Sequence, residues 1–312
     1  MRSLRAPTLA DADALLALMR ACDVATIGQP DTTMNDVLDE LRDPDLDLSK
    51  DAWVATDDNG DVAGCAFVFA HDGSDIIELD IYVHPAAADL GPRLWAAAEM
   101  RASEIGRAFG LSQLRLDIGI QRADEPQRTV ARDRGFEPAT AFYRMRIDFD
   151  GQIEPPTLPA DFSIETVGAD DRLRKAAHTV DRTSFAKHFG FVDRSYESWE
   201  AQLTSSTSTG LDSIRLLSVA GTPVGVLIES SQFVEDENCG YVDTLGVLKE
   251  YRGRGIGRML LLDAFARDAA AGRAGTILHV DANNLTPALG LYESVGMRTV
   301  LVSDAWRRTD SL

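Results

Sequence analysis

Tyr251-Arg252-Gly253-Arg254-Gly255-Ile256-Gly257 is the most telling stretch of this 312-residue chain. It falls between an apolar, strand-like run at 240–247 and a helix-like run from Arg258 to Ala271. The glycines let the backbone bend tightly and approach a ligand, while successive N–H groups and the following helix N-terminus present positive potential to an anion. Arg252, Arg254 and Arg258 add cations in a chain whose formal net charge is −19. The arrangement predicts a cradle for a diphosphate.

Several readings of such a loop compete. A P-loop ends in Gly-Lys-Ser/Thr, whereas this one ends Gly257-Arg258-Met259. A dinucleotide fingerprint gains some support from Asp281, which stands about 20 residues on, where a ribose-binding acid belongs. The spacing is nevertheless Gly-x-Gly-x-Gly, and Lys249-Glu250-Tyr251-Arg252 separate strand from first glycine. A plain glycine-rich turn with solvated arginines is the bland alternative. The pattern Arg/Gln-x-x-Gly-x-Gly/Ala is met by Arg252, Gly255 and Gly257 after the strand Tyr241-Val242-Asp243-Thr244-Leu245-Gly246-Val247. This resembles the acyl-CoA-binding motif of the Gcn5-related N-acetyltransferases.

The downstream sequence extends the resemblance. A β-like run, Gly275-Thr276-Ile277-Leu278-His279-Val280-Asp281, leads to Asn283-Asn284 and then to Thr286-Pro287, an N-cap followed by proline at the first helical position. The helix so opened carries Leu291-Tyr292-Glu293-Ser294-Val295 and ends at Gly296-Met297. The family shows a strand, an asparagine, a short tyrosine-bearing helix and a terminal glycine-hydrophobe pair in this order. The match spans about residues 215–302.

Composition bounds the partners. The chain is 45% hydrophobic and 26% charged, as in ordinary globular proteins, and its length suggests two domains. The acidic balance argues against nucleic acid or an anionic membrane as partner and suits cationic amines, or simply keeps the surface solvated. Cys22, Cys65 and Cys239 lack metal-ligand spacing, and no His-x-x-x-His pair occurs, so no catalytic metal is expected. No apolar run reaches the roughly 20 residues of a membrane span, and the N-terminus does not read as a signal peptide. A cytoplasmic location is expected.

Residues 151–160 read as a linker, with three prolines between Glu154 and Pro159. On either side the same order of elements recurs: a short strand, amphipathic helices, a three-strand meander, a long helix, a strand, a short helix and closing strands. The expected fold is therefore α/β (α+β). Residues 1–150 and 161–312 form tandem domains resembling the N-acetyltransferase family, each with a mixed, mostly antiparallel central sheet flanked by helices. In the first half the loop position reads Val83-His84-Pro85-Ala86-Ala87-Ala88-Asp89-Leu90-Gly91-Pro92, shorter, with an acid and a proline where a cradle wants cations and N–H donors. Ala131 falls opposite Tyr292. The first domain is expected to be a degenerate copy without an acetyl-CoA site.

The resemblance implies an acyltransferase moving acetyl from acetyl-CoA, as co-substrate, to a primary amine of a small molecule by direct attack. Backbone groups of Leu245, Gly246 and Val247 would hold the pantetheine arm. Arg252, Gly253, Arg254, Gly255, Ile256, Gly257 and Arg258 would form the diphosphate cradle. Asn283 or Asn284 would contact CoA. Tyr292 would support the departing thiolate, though a core tyrosine is the ordinary reading. Tyr241, Asp243 and Leu245 alternate onto one strand face, and Asp243 is the first candidate base, ahead of Glu229 and His188. The aromatic segment Thr183–Gly190 falls where family members build the acceptor site, or else packs Phe185 and Phe189 inward. Length and two-domain layout are also similar to actinobacterial mycothiol synthase-like members acting on a thiol-sugar precursor. A non-catalytic acetyl-CoA sensor is a further reading. The acceptor and the oligomeric state are not legible in the residues.

Overall fold

Two sets of alternating apolar runs become two sheets of matching strand order. The computed structural model describes residues 4–70, 73–189, 191–282 and 288–312. Its contacts separate two compact units, residues 1–141 with 303–312 and residues 142–302. The first half of the chain supplies β1 (Leu4–Arg5), α1 (Ala12–Ile27), α2 (Met34–Arg42), α3 (Leu48–Asp51), β2 (Ala52–Thr56), β3 (Val62–Ala70), β4 (Ile76–Val83), α4 (Gly91–Ala108), β5 (Gln113–Gln121), α5 (Glu125–Asp133) and β6 (Glu137–Asp148). The second half supplies β7 (Phe162–Thr166), α6 (Asp171–Phe185), α7 (Tyr196–Ser205), β8 (Ile214–Val219), β9 (Thr222–Ser230), α8 (Val234–Glu237), β10 (Cys239–Val247), α9 (Ile256–Ala270), β11 (Gly275–Asp281), α10 (Ala288–Ser294) and β12 (Arg298–Ser311). Residues 151–160 form neither helix nor strand.

In the first unit the strand order is β1-β2-β3-β4-β5, closed by Ser303–Ser311 of β12, which runs antiparallel to β5. In the second it is β7-β8-β9-β10-β11, closed by Phe142–Asp148 of β6, antiparallel to β11. Within each set only one pair is parallel, β4 with β5 and β10 with β11. Each sheet is covered on both faces. In the first unit, Leu94, Trp95, Ala98 and Ala102 of α4 pack with Ala66, Val68, Ile77 and Leu79, while Leu15, Met19 and Val37 of α1 and α2 pack with Cys65 and Phe67. In the second, Leu260, Leu261, Ala264 and Phe265 of α9 pack with Leu227, Val242 and Leu278. Leu173, Ala177, Val180 and Trp199 of α6 and α7 cover Ile214, Leu216, Val226 and Ile228.

The closing strands depart from the expected division at residue 150. A chain-local reading gives each half its own last strand, yet Phe142–Asp148 completes the second unit and Ser303–Ser311 the first. Strand alternation is nearly the same in both segments, so pattern alone cannot choose the partner. Charge does. Arg144 and Arg146 pair with Glu237, and Arg298 reaches Asp148 at 2.8 Å, all in the second unit. In the first unit Arg307 meets Asp117 at 2.5 Å, Arg122 meets Asp304 at 2.5 Å and Arg308 meets Glu99 at 2.7 Å. Asp117 and Arg144 are buried, so mispairing would leave a desolvated charge without its partner.

Candidate active site

The site of the second unit grows out of a break in the β10 ladder. β10 and β11 pair in parallel only from Cys239/Gly275 to Val242/Leu278. Asp243 is then an extra residue between Val242 and Thr244 in the register with β9. A bulge of this kind bends a strand and re-aims its side chains. Beyond it, Thr244–Val247 stay paired with β9, while Val280 and Asp281 pair with β6. The two parallel strands thus part company and leave one backbone edge of Leu245–Val247 without a strand partner among the described residues.

A cleft of about 330 Å³ occupies the opening, lined by Ser184, Phe185, His188, Leu245, Gly246, Val247, Tyr251, Arg252, Gly253, Gly255, Ile256, Gly257, Arg258, Ala288, Leu291 and Tyr292. The glycine-rich loop forms one end of it. Gly253 and Gly255 have φ of +75° and +79°, values that favour glycine, and Gly255 is the N-cap of α9. The helix begins at Ile256, two residues earlier than its apolar pattern suggests, so the N–H groups of Ile256, Gly257 and Arg258 belong to its unpaired first turn. A Cβ on Gly257 would come within 3.1 Å of Leu291. Positive end potential and free donors suit an anion.

The arginines divide their work. Arg252 donates from Nε to the Val247 carbonyl at 2.9 Å and from Nη2 to the Ser184 carbonyl at 3.3 Å, fastening the loop to β10 and α6. Arg258 donates to the Ser294 carbonyl at 3.1 Å and so ties α9 to the end of α10. Arg254 lies over the Tyr251 ring, 5.0 Å from its centroid, and is not part of the cleft wall.

On the opposite wall, α6 approaches β10 closely: a Cβ on Gly246 would lie 3.0 Å from Ser184 Cβ and 3.2 Å from the Phe185 ring. The Ser184 hydroxyl is buried without a hydrogen-bond partner among the described residues. Such a group calls for a polar ligand atom or water. The Phe185 and His188 rings meet at a tilt, with centroids 4.7 Å apart. Burial and the Arg252 charge hold His188 below its usual pKa, with Asp281 opposing, so it is neutral at neutral pH. The anion-binding helix end, the unpaired strand edge and the orphaned hydroxyl together fit the diphosphate and pantetheine of acetyl-CoA.

Tyr292, on α10, is buried, and burial pushes its pKa up to about 12. It therefore stays protonated at neutral pH. Asn283 and Asn284 lie outside the described residues.

The bulge changes which strand residues share a face. Alternation places Tyr241, Asp243 and Leu245 together, but Leu245 packs toward α9 with Val242 and Leu278, while Tyr241 packs on the other side with Phe233 and Ile277. The extra residue inverts the alternation beyond it. Asp243 is open to solvent, yet it lies on a central strand, and the surrounding protein lifts its carboxyl above the usual carboxylate range; the Thr244 hydroxyl, donating at 3.1 Å, opposes this. Glu229 is ion-paired with Arg267 of α9, away from this face.

Sequence reasoning missed Asp181, whose carboxyl feels the Asp243 charge, and the pairing of Tyr241 with His279. Asp181, on α6, accepts from Trp199 Nε1 at 3.0 Å, and burial, followed by the neighbouring Asp243 charge, raises its pKa to about 6. The Tyr241 hydroxyl and His279 Nδ1 are 3.0 Å apart. Burial and the Arg144 guanidinium push His279 down to about 4, so it too is neutral. The available signal was the alternation of Tyr241 with His279 on neighbouring parallel strands, which has no meaning until the register is known. Among the described residues no group of three or more His, Cys, Asp or Glu is placed to hold a metal ion, and no helix is long and apolar enough to cross a membrane.

Known proteins agree with this geometry. Residues 181–297 match the family model described as Acetyltransferase (GNAT) family. A curated mycothiol acetyltransferase from Acidothermus cellulolyticus is 29% identical over 263 residues, covering 77% of this chain and 78% of that protein. A GCN5-related N-acetyltransferase from Sphaerobacter thermophilus has a structure similar over 99% of this chain and 96% of that one, with a TM-score of 0.81 and 24% identity. A tandem GNAT protein from the clavulanic acid biosynthesis pathway covers 99% and 98% at a TM-score of 0.70 and 18% identity. The two structures speak for the fold, and the sequence matches for the domain: residues 181–297 carry an acetyltransferase domain of the GNAT family, which makes the protein an acyltransferase.

Proposed function

We propose that the chain moves an acetyl group from acetyl-CoA to a primary amine of a small molecule by direct attack, in the cleft of the second unit. The observation that carries this reading is the opening of the β10/β11 pair beside Asp243 into a cleft that ends at the Gly255-capped start of α9. The first half serves as a degenerate copy without an acetyl-CoA site.

In this reading the unpaired backbone of Leu245–Val247 holds the pantetheine arm and thioester, and the N–H groups around Gly253–Gly257 hold the diphosphate. An acceptor amine arrives as its ammonium, with an ordinary pKa near 10.4, and must lose a proton before it attacks. Asp243 receives that proton, directly or through water, and its raised pKa makes it a better base than an ordinary carboxylate. The amine nitrogen bonds to the carbonyl carbon, the carbon–sulfur bond breaks, the thiolate leaves with the electron pair, and the nitrogen gives up its second proton to water to become the neutral amide. Tyr292 donates a hydrogen bond to it. With the phenol at about 12 and a thiol near 8.5, full proton transfer from Tyr292 is uphill by roughly 5 kcal/mol, so the proton that neutralises the thiolate comes from solvent.

A second reading, a mycothiol synthase-like enzyme acting on a thiol-sugar precursor, is favoured by the name of the Acidothermus relative and its 77% coverage of this chain. Calorimetric titration with acetyl-CoA tests the common part. One site per chain in the wild type, lost in an Arg252→Glu/Gly255→Asp double variant, is expected; two sites or none overturns the asymmetric arrangement. A thiol-release screen that includes simple amines and a cysteinylated amino sugar then separates the two acceptors. Acetyl-CoA binding without turnover of any amine would select the sensor reading instead.

A further inference from the structure

The first unit contains a cavity of about 580 Å³ at the end of β4, bordered by α1, α4 and α5. It is larger than the cleft of the second unit and lies well within the range of small-molecule pockets. Its walls are mainly apolar, with Ala25, Ile81, Pro92, Trp95, Pro126 and Val130 facing the space. Val130, 39% exposed, stands at the rim of this space.

Several polar groups in these walls are already engaged. Gln127 donates from Nε2 to the Ile81 carbonyl at 3.0 Å, and the Cys22 thiol donates to the Val83 carbonyl at 3.4 Å. Burial lifts that thiol to about 11, which keeps it a donor and not a thiolate. Asp124 takes the Gln127 N–H at 2.9 Å and the Thr26 hydroxyl at 3.4 Å. His84 Nδ1 takes the Ala86 N–H at 3.2 Å, and Arg134 is paired with Glu99 at 2.6 Å. An apolar occupant would therefore cost none of these hydrogen bonds. A diphosphate would meet the Asp124 carboxylate, an arginine already committed to Glu99, and Pro92 in the first turn of α4, where a backbone donor is missing.

We propose that this cavity is a second ligand site, shaped for an uncharged, mainly apolar small molecule and closed to CoA. The proposal stands on the geometry of the first unit and does not depend on acetyl transfer in the second. Fluorescence titration of the full chain with the neutral dye N-phenyl-1-naphthylamine, with and without saturating CoA, tests it. Saturable binding of one equivalent, unmoved by CoA and weakened at least tenfold in Ala88→Trp and in Val130→Trp, is expected. Both positions are exposed, so the bulky ring fills the cavity with little disturbance of the core. Circular dichroism checks each variant, and if one misfolds the other decides. No saturable binding, displacement by CoA, or undiminished binding in a folded tryptophan variant overturns the proposal. Dye binding in a protein that fails to bind acetyl-CoA would leave this site standing and sink the proposed function alone.

Discussion

The ends of β4 and β10 differ far more than the strands that lead to them. In both units parallel pairing stops at the same point, Leu79/Ile118 and Val242/Leu278. A glycine stands opposite the strand end in each, Gly64 beside Val83 and Gly225 beside Val247. Neither tolerates a Cβ, which would lie 2.7 Å from Leu94 or 2.9 Å from Ile256, because the next helix packs directly on that spot. The tail of the motif matches as well: Phe136 donates its N–H to Ala131 and Met297 to Tyr292, after Gly135 and Gly296 at φ of +83° and +95°. Ala131 thus occupies the place of Tyr292. Where the chain must serve its own packing, the halves agree. Where a ligand needs backbone donors the halves part: α9 opens at Gly255 with Ile256, Gly257 and Arg258 in its first turn, whereas α4 carries Pro92 there, and Gln127 takes the Ile81 carbonyl.

The largest test of this contrast is Asp243→Asn. A base contributes roughly 10²–10⁴-fold, and a fall in kcat/KM of about 10²–10³-fold with unchanged acetyl-CoA affinity is expected. The wild type should lose activity as pH drops and the raised carboxyl takes a proton, and the variant should lack that limb. A flat wild-type profile, or full activity in the variant, would remove Asp243 from the mechanism. Tyr292→Phe comes next. Losing a hydrogen bond to a developing thiolate costs about 10- to 100-fold in kcat with acetyl-CoA KM nearly unchanged, read in steady-state kinetics. An equal rise in KM would instead point to a binding role.

Asp181→Asn sharpens the comparison through stability. The folded pKa of Asp181, about 6, exceeds the ordinary carboxylate value of 3.8. The folded state therefore holds this proton more tightly, and its stability declines as pH rises from about 4 through 6. Removing the charge should add about 1–3 kcal/mol at pH 7.5 and nearly nothing at pH 4, seen as a higher Tm only at the upper pH. A gain of equal size at both values would refute the buried-charge explanation. The smallest expected effect is in the first unit. Cys22→Ala with Gln127→Ala frees the Val83 and Ile81 carbonyls, yet acetyl-CoA stoichiometry should remain one, because Pro92 and the short Pro85–Leu90 turn still supply no cradle. A second site in that variant would show that two side chains alone keep CoA out.

Much of the site could be read early because its chemistry is local. Gly253, Gly255 and Gly257 followed by a helix describe a donor array within a single turn, and Arg252 and Arg258 came with it. Their tasks did not, since Arg252 binds the Ser184 carbonyl across 68 positions of sequence. Asp243 was visible as a residue but not as a bulge, because a bulge exists only relative to the partner strand. Asp181 and His279 were invisible for the same reason: α6 and β11 are brought beside β10 by packing that no spacing encodes.

The order of elements, the duplication, the glycine-rich turn ahead of α9 and its proline-bearing counterpart ahead of α4 all follow from the residues in chain order, because each rests on local backbone geometry and apolar period. The exchange of closing strands, the neutral histidines, the raised carboxyl of Asp181 and the cavity of the first unit arise only in the folded chain. They depend on which distant groups become neighbours and how far water is excluded from them, and both are fixed by long-range pairing and packing.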